Sequence, residues 1–408
     1  MENEKINQDV LTAAKQLTLE HDLCDNCLGR FFYKTNKEIT NKKLGESIRN
    51  QLKIKKTTSK NCWLCEGLIE EIPVFTKIVE DKLKEYEFKT FLIGSKIDED
   101  IIKKEKKLLE LAGDEYAESI KNEINREIGK ALEKKLSKTV DFEKPDIMAI
   151  IDTCFNTVTL QIASLYLYGR YKKYSREIPQ TKWFCKTCRG KGCRKCGYTG
   201  KLYETSVEEL ISKKILDVTQ GEDEAFHGAG REDIDVRMLG NGRPFVLEIK
   251  NPKIRTFNLK KIEKEINKEH GNMIKVIGLR YSDKSEVERI KKAAFNKQYR
   301  VVFSCEKPIN TEKLKKAVQA LPGSKINQLT PSRVAHRRAN MVRTKHIYKC
   351  DIEQVERNIA ILTLETESGT YIKELVTGDN GRTKPSIAEL INMPCEVLEL
   401  DVTMIKEE

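Results

Sequence analysis

Four Cys-x-x-Cys pairs constrain this chain more than any other feature of its 408 residues. Cys24 and Cys27 are answered by Cys62 and Cys65 across a helical insert around 42–52, and Cys185, Cys188, Cys193 and Cys196 follow in one C-x2-C-x4-C-x2-C run. Each set offers four thiolates, the ligand set of a closed tetrahedral zinc site with no position left for water. The spacing therefore predicts structural zinc, one or two ions, with zinc the default over iron. A redox Cys-x-x-Cys is the rival reading for the first set, but it needs only one pair and usually opens a helix in a thioredoxin-like fold. Gly190, Gly192, Gly197 and Gly200 let the second set turn sharply around a metal. The N-terminus, MENEKINQDV, is polar from the start, with no secretory signal, so metal is favoured over disulfides. Cys154, Cys305, Cys350 and Cys395 lie among apolar neighbours and read as small core residues.

The length allows two or three domains. A net charge of +12 with 34% charged residues favours a polyanionic partner such as RNA, although surplus lysine also serves solubility. No run of 18 apolar residues occurs, so the expectation is a cytoplasmic chain with no membrane span and no obligate protein partner. Helices are predicted over 10–19 and through Ile120, Ile124, Ile128, Leu132 and Leu136, whose four-residue repeat gives one apolar face and one solvated charged face. Residues 146–152 read as a buried strand and 157–162 as an alternating one. Beyond 203 the chain alternates strands (206–211, 245–249, 273–281, 299–303) with helices (259–269, 285–296), which predicts a mixed α+β sheet domain.

Within that half, FHGAGREDIDVRMLGNGRPFVLEIK at 226–250 places Asp233 and Asp235 just after a glycine turn. Period-two reading puts Ile234, Val236 and Met238 on one strand face and Asp233, Asp235 and Arg237 on the other. Gly240, Asn241 and Gly242 supply turn chemistry at the far end. By pattern alone this is also what an edge strand with a solvated charged face looks like.

Gly230-Arg231-Glu232-Asp233 resembles the Gly-Arg-x-Asp signature of one branch of the pseudouridine synthases, and AGREDIDVRMLGNGRPFVLEIKNP closely resembles the archaeal and eukaryotic tRNA pseudouridine synthases of the Pus-ten family. KPDIMAIIDTCFNTVTLQIASLYLYGRYKKYSREIPQ resembles the RNA-binding THUMP domain, and there Arg170, Lys172, Lys173 and Arg176, interleaved with Tyr168, Tyr171 and Tyr174, are candidate contacts to phosphates and stacked bases. The resemblance implies an α+β multidomain chain: an N-terminal four-cysteine zinc module (1–66), a THUMP-like RNA-binding domain (67–182), a four-cysteine knuckle (183–201) and a mixed-sheet catalytic domain (202–408). The knuckle also resembles those of chaperone zinc domains, but nothing here resembles a J-domain.

The reaction the resemblance implies breaks a uridine's glycosidic bond, turns the base and rejoins it through carbon 5. It needs a nucleophilic carboxylate, an aromatic surface for the base and a cation to keep the carboxylate ionised. It consumes no organic cofactor, in keeping with a sequence that shows no nucleotide-phosphate loop. By motif match Asp233 is the expected nucleophile, with Asp235 the alternate, and attack on ribose or base stays open. Lys297-Gln298-Tyr299-Arg300 resembles the segment whose tyrosine packs on the target base, although a tyrosine entering a strand is also ordinary core. Gly369-Thr370-Tyr371-Ile372-Lys373-Glu374-Leu375 resembles the segment lining the uracil pocket, so Tyr371 and Leu375 are expected to flank the base. Gly381-Arg382-Thr383-Lys384-Pro385-Ser386 resembles a late motif that makes Arg382 the expected ion partner of Asp233. Thr330-Pro331-Ser332-Arg333-Val334-Ala335-His336-Arg337-Arg338 resembles the family's basic segment, and Arg333, Arg337 and Arg338, with Arg231, are candidate tRNA contacts.

The expected activity is isomerisation of uridine 54 and/or 55 in the T-arm of tRNA. A zinc-containing tRNA-binding adaptor without activity is the rival, and it differs in making Asp233 dispensable. A THUMP-bearing methyltransferase or thiolase would need a nucleotide or cofactor loop that the sequence lacks.

Overall fold

The computed structural model of the chain describes residues 6–336 and 338–406, which fall into two compact units. The first runs to Ala163 and takes in Asn251–Arg255; the second comprises Ser164–Lys250 and the chain from Thr256 onward. Among the described residues no helix is long and apolar enough to cross a membrane.

The first unit orders α1 (Gln8–Glu20), α2 (Asp25–Arg30), α3 (Asn41–Leu52), α4 (Ile72–Leu83), β1 (Thr90–Lys96), α5 (Glu99–Ala112), α6 (Ile120–Leu136), β2 (Thr139–Val140), β3 (Ile147–Asp152) and β4 (Thr157–Ile162). Its sheet runs β2-β1-β3-β4, with β1 parallel to β2 and β3 and with β3 and β4 antiparallel. The four-residue repeat of α6 does what the sequence predicts: Ile120, Ile124, Ile128 and Leu132 are fully buried, and Ser119 caps the helix by accepting from the Asn122 N–H. In β3 alternation buries Ile147, Ala149 and Ile151. The first cysteine set does not fold apart, as a separate 1–66 module would. Cys24, Cys27, Cys62 and Cys65 belong to the same buried cluster as α6 and the sheet, and fully buried Arg30 reaches Glu105 at 3.0 Å and Glu123 at 3.6 Å.

The second unit orders β5 (Leu165–Lys173), α7 (Val207–Thr219), β6 (Asp223–Gly228), β7 (Arg237–Lys250), α8 (Leu259–His270), β8 (Ile274–Ser282), α9 (Lys284–Lys292), β9 (Lys297–Cys305), α10 (Thr311–Ala320), β10 (Lys325–Leu329), β11 (Val342–Glu356), β12 (Ile359–Thr366), α11 (Ile372–Thr377), β13 (Thr383–Lys384), α12 (Ile387–Ile391) and β14 (Cys395–Ile405). These strands make one mixed sheet, β13-β10-β11-β12-β9-β14-β7-β5-β8, with β6 paired to the C-terminal part of β7 off that path. β7 and β14 are parallel, while β7 is antiparallel to β5 and β6.

Three expectations change here. The segment 165–171 does not close the THUMP-like domain: β5 lies between β7 and β8 inside the second unit's sheet, so the division falls at 163/164 rather than at 182. Residues 206–211 begin α7 rather than a strand, because Ser206 caps a helix by accepting from the Glu209 N–H. Gly240, Asn241 and Gly242 bend β7 instead of ending it. A Cβ on Gly240 would stand 1.6 Å from the Thr403 carbonyl of β14, which is why the bend needs glycine.

In the first unit α2 and α3 touch backbone to backbone, for a Cβ on Gly29 would meet the Asn41 carbonyl at 1.8 Å and one on Gly45 the Asp25 carbonyl at 1.8 Å. Overpacking of this kind costs about 1–3 kcal/mol or more. Gly45→Ala is therefore expected to lower the first unit's denaturation midpoint, read in the full chain by near-ultraviolet circular dichroism in urea.

Candidate active site

Asp233 does not stand on a strand. Residues 231–236 form a turn between β6 and β7, closed by Val236 N–H donating to the Asp233 carbonyl at 3.1 Å. Gly230 enters it at φ +81°, a conformation L side chains rarely adopt. Beneath the turn lies a buried network. Arg243 of β7 donates to Glu232 at 2.8 Å and to the Ala229 carbonyl at 2.7 Å. The Tyr171 hydroxyl of β5 reaches both Glu232 oxygens, at 2.8 and 2.9 Å, and Gln180 bonds that hydroxyl and the Gly230 carbonyl. Lys173, also from β5, donates to the carbonyls of Ile178, Asp233 and Ile234. Burial pushes the Lys173 ammonium down to about 8, although Glu232 and Asp235 pull the other way.

Above the turn opens a cavity of about 480 Å³, within the range of pockets that enclose small ligands. Its lining includes six cations, Arg231, Arg243, Lys297, Arg333, Arg338 and Lys373, against two carboxylates, Glu232 and Asp233. Tyr299 and Tyr371 line it as well. Alternation along β9 buries Lys297, Tyr299, Val301 and Phe303 on one face, so the first two reach the cavity and the next two fill the core. Burial raises the Tyr299 phenol to about 12, Arg243 opposing and Glu232 adding to it. Burial also lowers Lys297 to about 8, helped by Arg243 and Lys345.

The Asp233 side chain is 34% exposed, and Arg333 grips it: Nη1 lies 2.7 Å from Oδ2, with Lys373 Nζ 3.9 Å from the same oxygen. No ion pair reaches Oδ1 among the described residues. Arg333 is itself oriented by nearly buried Glu374 at 2.7 Å. Lys373 sits closer to Asp235, at 2.6 Å; burial works to raise the Asp235 carboxyl, but its bond to Lys373 leaves it below the usual range.

Arg382, the expected partner of Asp233, is elsewhere. It donates twice to the Thr330 carbonyl (3.1 and 2.7 Å) and to Asn340 (3.0 Å), and so ties down the loop that carries Arg333. Leu375 is fully buried on α11 and does not line the cavity; the wall there is 368–373. Arg170 is not at the cavity either, since it donates to the Asn241 and Gly242 carbonyls at the bend of β7. Arg231 lines the mouth with its guanidinium 5.0 Å over the Trp183 ring. Arg338 also lines the cavity, and Arg337 lies outside the described residues. Sequence reading missed Glu232, Arg243, Lys297 and Lys373. The first three are buried charged residues, which a hydrophobic pattern does not mark, and Lys373 stands two places after Tyr371 in a segment already singled out. Lys173, a candidate phosphate contact by sequence, is instead buried against backbone carbonyls.

Both cysteine sets converge, with each set's sulfurs within 4.8 Å of one another. Sγ separations of 3.8 Å for Cys24 and Cys65, and of 3.9, 3.8 and 3.7 Å within the second set, match the edge of about 3.8 Å of a tetrahedron with metal–sulfur bonds of about 2.3 Å. Both sets fit a metal ion.

Comparison with known proteins matches residues 166–406 to the family described as Pus10, C-terminal, and residues 75–152 to the archaeal Pus10 THUMP domain. The chain is 40% identical to the tRNA pseudouridine synthase Pus10 of Methanocaldococcus jannaschii, over 96% of this chain and 94% of that protein. It is 39% identical to the protein of the same name from Methanopyrus kandleri, over 94% and 96%. Among solved structures, a chain in a Cbf5-Nop10-Gar1 complex is similar over 59% of this chain and 50% of that one, at 14% identity and a TM-score of 0.33, too low to assign a fold. With one family model covering most of the second unit and relatives of this identity nearly end to end, the chain belongs to the Pus10 family.

Proposed function

We propose that the cavity isomerises uridine to pseudouridine at position 54 and/or 55 in the T-arm of tRNA, with Asp233 as the nucleophile. Family membership makes the chain a tRNA pseudouridine synthase; the positions and the residue roles are our reading. The observation that carries it is the Asp233 carboxylate, set on a pinned turn in a cationic cavity, with Oδ2 held by Arg333 and Oδ1 without an ion pair among the described residues. Oδ1 is then the oxygen that attacks, at the ribose C1′ or at the base. Either route breaks the bond from C1′ to N1, lets the base turn and joins C5 to C1′, and the bond that Oδ1 made to C1′ or to the base is broken in turn, which returns the free carboxylate. The proton lost from C5 is matched by one gained at N1, so nothing is consumed. Tyr299, a neutral phenol, and Tyr371 offer ring faces to the base, while Arg231 and Arg338 meet phosphates at the mouth.

We further read both cysteine sets as zinc sites. An ion in the first would cross-link segments far apart in sequence, and one in the second would close the 185–196 loop on itself, as structural zinc does. Each ion lies in the scaffold and takes no part in the steps above.

The reading is tested on unmodified tRNA transcript without added cofactor. Asp233→Ala is expected to abolish pseudouridine while tRNA binding persists, and Asp235→Ala to stay within about tenfold of wild type. Arg333→Gln, which frees Oδ2, is expected to lower the single-turnover rate by about 10²-fold, the scale of a misplaced reacting group. Full activity in Asp233→Ala would remove Asp233 as the nucleophile, and a wild type that binds tRNA but forms no pseudouridine would return the adaptor reading. Metal analysis of the purified chain is expected to find two zinc ions, with Cys62→Ser and Cys193→Ser each removing one.

A further inference from the structure

The knuckle carries more charge and more exposed aromatic surface than a scaffold needs. From Trp183 to Lys201 the sequence holds six cations, Lys186, Arg189, Lys191, Arg194, Lys195 and Lys201, and no carboxylate. Lys201 pairs with Glu209 at 2.7 Å. The other five are exposed, and none forms an ion pair among the described residues. Beside them Phe184 is 58% exposed, Tyr198 75% and Leu202 45%, far more than aromatic and aliphatic side chains of a zinc-centred core would show. Phe184 rests its ring against Gly190, where a Cβ would stand 3.0 Å from the ring edge, so it is held flat on the knuckle rather than free to fold inward. An open groove runs across the same module, its lining including three cations, Lys186, Lys195 and Lys201, one carboxylate, Glu204, and the side chains of Leu202 and Tyr203.

The knuckle also adjoins the cavity. Trp183 at its base lies under Arg231, and Arg231 lines the cavity mouth. An RNA strand whose uridine enters the cavity passes over Arg231 and meets the knuckle next. Cations interleaved with exposed rings are the surface that binds unpaired nucleotides, phosphates on the charges and bases on the rings.

We infer that this knuckle is a docking surface for unpaired tRNA nucleotides flanking the target uridine. The inference rests on the tRNA-modifying reading of the cavity, but its readout is binding, which needs no turnover.

Two variants test it in the full-length, zinc-loaded chain. Lys186→Gln/Lys191→Gln/Lys195→Gln removes charge, and Phe184→Ala/Tyr198→Asn removes the rings, asparagine suiting the positive φ of 64° at Tyr198. Neither touches a cysteine, and zinc content is measured in both. The charge variant is expected to raise the Kd for tRNA at least tenfold at about 0.15 M salt. Its slope of log K against log salt should fall by about 2, near 0.7 for each single-strand phosphate that is no longer neutralised. The ring variant is expected to raise Kd by about five- to thirtyfold, within what the loss of base stacking costs, with the salt slope kept. In both, kcat at saturating tRNA stays within twofold. Wild-type Kd and slope in the two zinc-retaining variants overturn the inference. A wild-type chain that binds tRNA through the knuckle yet forms no pseudouridine sinks the reading of the cavity and leaves this one standing.

Discussion

The ion pair of Glu232 and Arg243 is the interaction on which the second unit's site depends. Both side chains are almost wholly buried, 2.8 Å apart, between the apolar core and the floor of the cavity. Two charges taken out of water are held only where their remaining hydrogen-bonding atoms are met, and here Tyr171 and the Ala229 carbonyl meet them. Removing one partner of such a pair costs about 3–5 kcal/mol, because the other stays charged and buried. The pair joins the turn before β7 to the strand β7 itself, and through Tyr171 to β5. The acidic turn is thus fixed to two central strands before any substrate arrives.

The wall of the cavity that carries Arg333 is built in a similar way. Arg333 stands on a short loop with little backbone pairing of its own, and it is located by Glu374 on α11 and by Arg382, which holds the Thr330 carbonyl. One carboxylate orients the arginine, and the arginine orients Asp233. An exposed pair of this kind adds at most about 1 kcal/mol to stability. Its contribution is direction: it decides which oxygen of Asp233 is occupied and which is open.

Much of this was legible in the chain. The Cys-x-x-Cys spacing located both thiolate clusters, four-residue periodicity located α6, and the strand expected at 299–303 is the greater part of β9. The motif string brought Asp233, Tyr299 and Tyr371 to one cavity. What failed did so for physical reasons. Alternation around Asp233 imitates a strand, but buried Glu232 and the positive φ at Gly230 make the segment a turn, and neither shows in a hydrophobic pattern. Arg382 and Arg333 are both arginines in basic motifs, and only the fold decides which reaches the carboxylate. The strand at 165–173 reads equally well as the end of one domain or the start of the next, and its partners β7 and β8 lie too far along the chain for local pattern to find.

The central claim is that Asp233 acts from a fixed position and not merely as a negative charge at the mouth of a cationic cavity. The single-turnover rate of Asp233→Glu on tRNA tests it most directly, since that change keeps the charge and shifts the carboxylate by about one bond length. A fixed nucleophile predicts a loss of about 10²-fold or more with tRNA affinity unchanged. A rate within a few-fold of wild type would contradict the account and leave Asp233 a purely electrostatic part.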